Sequence, residues 1–352
     1  MAGKGFAKLG VCIVKNTLSL ACVVAAVVTF SVPVAHAAVG VEDLGTLPGD
    51  VRSTPQDINE GGAVAGVSTS AANAQHAVRW DPGAAIKKLD DLGSDSWAAA
   101  INSQRVVVGY AVDSANHTQP ARWDFSGSLT VLTTPGAVSG VAYDVNDSGS
   151  VTGSAVINGV SHAVVWDSAG VATDLGEGSG RYLTSSGTVI GYSGDQPARW
   201  SSGLYVYDNH GAMLSGHNEA ADAVGTTGGE GVLWLGRRRS LLGAGTSPRD
   251  ISDNGWAVGV SGSQAVRWAA SEFTTAQPLA PAPSAATKIN NAGVVAGTAG
   301  SWAVTWNAAG VQTALPVLAG SNRSSVSGLT ENGQVIGIAG FADGTWRAVV
   351  WR

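Results

Sequence analysis

The chain has 352 residues, 48 of them Gly, only 13% of them charged, with a formal net charge of −6. This composition excludes an intrinsically disordered chain, which needs low hydrophobicity together with high net charge. It also argues against nucleic acid and anionic membrane surfaces as partners, because both reward basic patches and the one basic cluster, Arg237-Arg238-Arg239, is short enough to be a solvated turn.

The first element is a leader. Lys4, Lys8 and Lys15 precede an apolar run from Leu18 to Ala35, broken by Pro33 and closed by the small-x-small triplet Ala35-His36-Ala37. This reads as a signal peptide over residues 1–37. The run approaches the length that spans a bilayer, but Pro33 and the triplet point to cleavage, leaving no membrane span afterwards. Both cysteines, Cys12 and Cys22, lie in the leader, so the mature chain is expected to have no disulfide and no thiol chemistry. The leader also carries three lysines and no acid, so its removal makes the chain more acidic. The expected location is outside a bacterium or on its surface.

From residue 41 onward the chain repeats. The phrase INEGGAVAG at 58–66 returns as INSQRVVVG (101–109), VNDSGSVTG (145–153), LTSSGTVIG (183–191), HNEAADAVG (217–225), ISDNGWAVG (251–259), INNAGVVAG (289–297) and LTENGQVIG (329–337). All eight end in Gly, and six also carry Gly at the fifth place. An apolar residue leading into a polar cluster and then an apolar run predicts a hairpin turn between two strands. The closing Gly predicts a close backbone approach or a bulge. A second phrase, HAVRW at 76–80, has counterparts ending at Trp123, Trp166, Trp200, Trp234, Trp268, Trp306 and Trp351. Its alternation predicts a strand with His76, Val78 and Trp80 on one side and Ala77 and Arg79 on the other. A third phrase, DLG at 43–45, 91–93 and 174–176, predicts a further short strand.

Successive Trp spacings are 43, 43, 34, 34, 34, 38 and 45 residues. Each repeat offers about four short strands in ~40 residues with no helical pattern, which predicts an all-β fold, a β-propeller with one blade per repeat. The expected architecture is a single domain over residues 41–352 with eight four-stranded blades. The strand that would follow Trp351 is missing at the C-terminus and present at the N-terminus, so the N-terminal strand is expected to close the ring and remove open edges. A linear β-solenoid would show shorter coils and capping ends instead.

These phrases resemble the HAF repeat of bacterial extracellular repeat proteins. The match rests on His76-Ala77-Val78 and His162-Ala163-Val164, with Val in place of Phe, together with the IN…G, Trp and DLGTL phrases, over about residues 41–351. The resemblance implies a secreted or surface-located β-rich protein and brings no activity or catalytic residues with it.

Histidine is the first candidate for chemistry. His76 and His162 share the place four before the Trp, where other repeats carry Gln119, Gln196, Glu230, Gln264, Trp302 and Arg347. That mixture excludes one catalytic role repeated in every blade. It leaves either a ring of polar ligand contacts or a strand entry that prefers polar residues. His117, His210 and His217 have no partner at metal-ligand spacing. No G-x-S-x-G is present, so nucleophilic catalysis has no support. Trp97, Trp256, Trp302 and Trp346 fall outside the repeated Trp position, and Trp256 and Trp302 join the two histidines as candidate ligand-binding residues. Asp144, Asn146 and Ser148 before Gly149, and Asp250, Ser252 and Asn254 before Gly255, alternate oxygen ligands as the start of a calcium loop does. The twelfth places hold Ala155 and Ser261 rather than Glu, and Asx-rich turns explain the same pattern without metal.

The expectation is therefore a non-enzymatic, monomeric scaffold that binds an extracellular glycan or protein through loops on one propeller face, with calcium as the only cofactor in view. The alternative is an extracellular carbohydrate-active hydrolase or lyase with a carboxylate pair at the central channel.

Overall fold

The structure, a computed structural model, describes residues 39–208, 211–269 and 275–352. The expected signal peptide at 1–37, with Cys12 and Cys22, lies outside the described residues, as does His210. Regular structure among the described residues is entirely β-strand. The first repeat forms strands Asp50–Ile58, Val64–Ser70, Gln75–Trp80 and Lys87–Lys88, each antiparallel to the next. The same meander recurs, and the pairing resolves into eight four-stranded units. Two of them merge because Ala172–Leu183 serves as the outermost strand of the third unit and the innermost strand of the fourth. In the eighth, Val41–Asp43 pairs with Trp346–Trp351, joining the two ends of the described chain.

The DLG phrases divide: Asp174–Gly176 lies inside strand Ala172–Leu183, as the phrase predicts, Asp43 ends strand Val41–Asp43, and Asp91–Gly93 is outside the strands. Strand Val41–Asp43 stops at the aspartate, whose carboxylate accepts the Gly45 N–H at 2.8 Å. Asp91 and Asp174 do the same for Gly93 at 2.9 Å and Gly176 at 2.8 Å. Each is the short-range bond of an Asx-turn, made at Asp43 and Asp174 by residues that also pair across a ladder.

In every unit the innermost strand carries a bulge just before the nine-residue phrase, so that one residue, Gln56 in the first unit and Ser327 in the eighth, has no partner across the ladder. The bulge explains the closing glycine. A Cβ on Gly66 would land on the carbonyl oxygen of Thr54 and press the ring of Trp80, and one on Gly153 would meet Val141 and Trp166 in the same way. Gly, bulge and Trp are thus one packing device. The hydrophobic clusters lie between neighbouring sheets: Ala63, Ala65 and Ala77 of the first unit pack with Ala98 and Trp123 of the second. Each Trp removes ~150–250 Å² from water, so the junctions dominate the hydrophobic stabilisation.

Hydrogen bonds repeat the same unit-to-unit logic at the hairpin turns. The Asn at the second place of the phrase donates its side-chain amide to the next unit's turn: Asn59 to the Asn102 carbonyl at 2.8 Å, Asn102 to Asn146 at 3.1 Å, Asn146 to Thr184 at 3.1 Å, and Asn290 to Thr330 at 3.1 Å. Where Ser252 or Thr330 stands there, the Asn two residues later takes over, Asn254 reaching Asn291 at 2.7 Å and Asn332 reaching Glu60 at 3.0 Å. The last of these bonds runs from the eighth unit to the first. The ring is closed by polar bonds as well as by the shared sheet.

Candidate binding groove and central channel

The expected ligand residues do not converge. His76 lies in the first unit, with its Nδ1 3.1 Å from an Asp50 oxygen. His162 lies in the third, 2.9 Å from Asp174. Trp256 is in the sixth unit, with the Arg267 guanidinium 4.8 Å from its ring centroid. Trp302 opens strand Trp302–Trp306 in the seventh and is half-buried. They sit on four separate units and share no pocket. Each histidine is matched to an aspartate of its own unit, which accounts for its place at the strand entry.

The two calcium-like loops are folded as turns. The Asn146 Oδ1 accepts from Ser148 Oγ at 2.7 Å and from the Ser150 N–H at 3.1 Å, while its amide is committed to Thr184. The Asp144 carboxylate accepts N–H groups from Val145 at 2.8 Å and Leu183 at 2.7 Å. In the second loop Ser252 bonds Asn254, Asn254 bonds the next unit, and Asp250 accepts from Ile289 at 3.0 Å. These oxygens point to backbone donors rather than to a common centre.

Asp57, Asp144 and Asp250 instead belong to an ionisable ring on the channel. They end innermost strands of three different units, joined by Lys288, Tyr182 and His217 at equivalent or adjacent places. Lys288 acts electrostatically on Asp250, Asp57, Tyr182 and His217, residues of four other units, so the ring converges on the axis. The Lys288 ammonium is 3.8 Å from Asp250, and that charge holds its pKa up. Burial raises Asp57 and Asp250, and pushes Asp144 up to about 7 with help from the charges of Asp57 and Glu219. The His217 imidazole stacks on Tyr182 with centroids 4.5 Å apart, and burial and then Lys288 lower it to about 4. A cavity of about 170 Å³ beside His217 is bordered by Glu219, Asp253 and Glu331. These acids are also structural, since Asp253 accepts the Glu219 N–H at 2.8 Å and Glu331 accepts the Asn291 N–H at 2.9 Å. The channel carboxylates act as ties between units, which weighs against their use as a free acid–base pair.

A larger groove, about 620 Å³, lies on the face that carries the turns between second and third strands. Tyr143, Arg181 and Tyr192 line it, with Glu177, Asp195 and Met213 at its edges. Gly178, Ser179, Ser154 and Val160 line it as well. Ala172–Leu183 runs without a break from one unit into the next along it, and Gly211, Ala212 and Met213, from the link into the fifth unit, complete its lining. Tyr143 and Arg181 occupy the bulged places of the third and fourth units. The guanidinium lies 4.3 Å from the Tyr143 ring centroid. Arg181 makes no hydrogen bond or ion pair to protein among the described residues. The Tyr192 hydroxyl accepts the Leu214 N–H at 2.8 Å, leaving its own proton to donate outward.

Two further arginine arrangements escaped the sequence. Arg79 is 1% exposed, pairs with Asp81 at 2.9 Å, and reaches the carbonyls of Arg105 at 3.3 Å and Phe125 at 3.0 Å in the next unit. Arg122 and Arg267 reach forward likewise, to Ser168 and Ala308, both at 2.8 Å. The basic cluster is not a bare solvated turn, for Arg239 donates to the buried Asp208 at 2.7 Å and Arg237 lies 5.4 Å from the Tyr205 ring centroid.

No family model matches the chain, and no curated protein matches it. Solved structures do. An oligogalacturonate lyase in complex with manganese aligns at TM-score 0.53 and 11% identity over 88% of this chain and 92% of its own. A streptogramin B lyase aligns at TM-score 0.50 and 15% identity over 73% of this chain and 94% of its own. An oligogalacturonate lyase from Vibrio parahaemolyticus aligns at 0.50 and 10% over 90% and 97%. This chain is a β-propeller. At such low identities the likeness to these enzymes carries the propeller fold and nothing of their chemistry.

Proposed function

We propose that this propeller is an exported, monomeric, non-enzymatic scaffold, related to the HAF-repeat proteins it resembles, that binds an extracellular ligand in the groove between Tyr143, Arg181 and Tyr192. The observation that carries the reading is Arg181 itself: a guanidinium over an aromatic ring, with no hydrogen bond or ion pair from its side chain among the described residues, in an open groove. The opposite face supports it by contrast. There the turn amides and carboxylates are committed to neighbouring units, so its polar groups are poorly placed to bind anything else. Recognition of a ligand by two tyrosines and small polar residues matches the general make-up of polar binding sites.

The test is a glycan and protein array probed with the purified domain, repeated with Tyr143→Ala. A set of hits lost in the variant supports the reading. Reproducible hits unchanged by the variant, or turnover of a bound glycan by the wild-type protein, would overturn it.

A further inference from the structure

We infer that the groove takes a saccharide bearing a carboxylate, a uronic-acid-type chain, with its carboxylate seated on Arg181; this rests on the binding reading just given. Three features of the groove select that chemistry.

The first is the guanidinium. It lies over the Tyr143 ring, 4.3 Å from the centroid, and no protein acceptor among the described residues uses its donors. A planar fork held in this way matches a carboxylate in two parallel hydrogen bonds, which a hydroxyl or a point charge does not satisfy equally. The second is the lining. Ser154, Ser161, Ser179 and the Tyr192 hydroxyl line the groove beside the aromatic and aliphatic surface of Tyr143, Val160 and Met213, a mixed polar and apolar wall. A polyhydroxylated ring uses such groups, whereas a peptide side chain asks for a deeper apolar pocket. The third is the charge at the edges. Glu177 and Asp195 stand on the lining with Arg181, so the groove carries one cation against two carboxylates. That balance disfavours densely sulfated or phosphorylated chains, which would meet repulsion on both sides of the single contact. It admits a ligand whose charges are separated by neutral hydroxyl-bearing surface.

Sequence reading could not reach this site. Tyr143 and Arg181 belong to different repeats and meet only because both sit at bulges in adjacent units.

The experiment measures binding of an oligouronate hexasaccharide by calorimetry, beside the same hexasaccharide with its carboxyls reduced to alcohols, a sulfated hexasaccharide and a glutamate-rich hexapeptide. Wild-type protein is expected to prefer the oligouronate over the reduced chain by about tenfold or more, the worth of one charged hydrogen-bond pair. Arg181→Gln should remove that preference, Arg181→Lys should restore little of it, and thermal melting should confirm that both variants fold. Equal binding of the oligouronate and its reduced form, with both lost in Tyr143→Ala, overturns the carboxylate inference and leaves the groove reading standing. Preference for the peptide or the sulfated chain overturns the saccharide class. No binding by any of the four ligands overturns the inference, and the array decides the groove reading separately.

Discussion

Asn59 donates its side-chain amide to the backbone carbonyl of Asn102 at 2.8 Å, and Asn102 repeats the gesture toward Asn146 at 3.1 Å. The asparagine of the repeated phrase therefore serves two turns at once. Its Oδ1 closes its own hairpin, accepting the Val106 N–H at 2.9 Å in the case of Asn102, while its Nδ2 fixes the next.

Replacing Asn102 by Ala leaves the Gln104 and Val106 N–H groups without their acceptor and removes the tie to the Asn146 carbonyl, which keeps only the Gly149 N–H. The expected loss is about 3 kcal/mol, from groups left unpaired rather than from one bond. Asn116→Ala, at an exposed hairpin position with φ +64°, is the comparison and should cost only ~1 kcal/mol, the strain of a left-handed Ala. Chemical denaturation of both variants checks this, and equal midpoints would contradict the double role.

The glycines of one phrase separate strain from collision. Gly187 has φ +86° and open space around the point where a methyl would project, whereas a methyl on Gly191 would strike the Ser179 carbonyl. Gly187→Ala should cost ~1 kcal/mol, the strain of a left-handed residue with a side chain. Gly191→Ala should cost about 3 kcal/mol or more, because backbone must move. Melting curves showing the reverse order would remove the bulge as the reason for the closing glycine.

The channel makes stability depend on pH in two opposed ways. Asp144 is raised from 3.8 to about 7, so the folded state holds an extra proton between those values and stability falls as pH rises through them. His217 is lowered from 6.5 to about 4, so stability falls as pH drops through that window. Asp144→Asn removes the first effect and keeps the second. It also gives up one acceptor, a constant offset. Relative to wild type, the variant's melting temperature should therefore climb between pH 4 and pH 7. A difference that stays flat across that range would show that Asp144 titrates normally.

Calcium should leave the melting temperature unchanged. Asn146 and Ser252 commit their oxygens to their own turns, and Asp144 and Asp250 accept backbone N–H groups of neighbouring units. A rise in melting temperature with added calcium, absent with magnesium, would mean these turns open around the ion.

Much of the architecture is legible in the chain because each unit repeats its marks at fixed places. Trp80 and Gly66 recur since the same ring covers the same glycine in the first unit as Trp166 and Gly153 do in the third. The closing strand at Val41–Asp43 shows as a surplus at one end and a deficit at the other. The DLG phrase misleads at Asp91 but not at Asp174, because the same Asp–Gly bond forms outside the strands at Gly93 and within strand Ala172–Leu183 at Gly176. Arg79 reads only as sharing a side with Ala77, because period-two reasoning assigns sides within one sheet and cannot see the next sheet arriving to bury it. Tyr143 and Arg181 stay hidden for a related reason: a bulge adds a residue without leaving a composition signal, and it re-aims the side chain it adds.

The seam has a consequence for the order in which the molecule is made. Gly40 and Arg352 exchange backbone hydrogen bonds, the Gly40 N–H to the Arg352 carbonyl at 2.9 Å and the return bond at 3.3 Å. Synthesis reaches Gly40 long before Arg352. Val41–Asp43 has no partner until Trp346–Trp351 has been added, so the ring stays an open arc while the units between them are made and can become a circle only after that strand emerges.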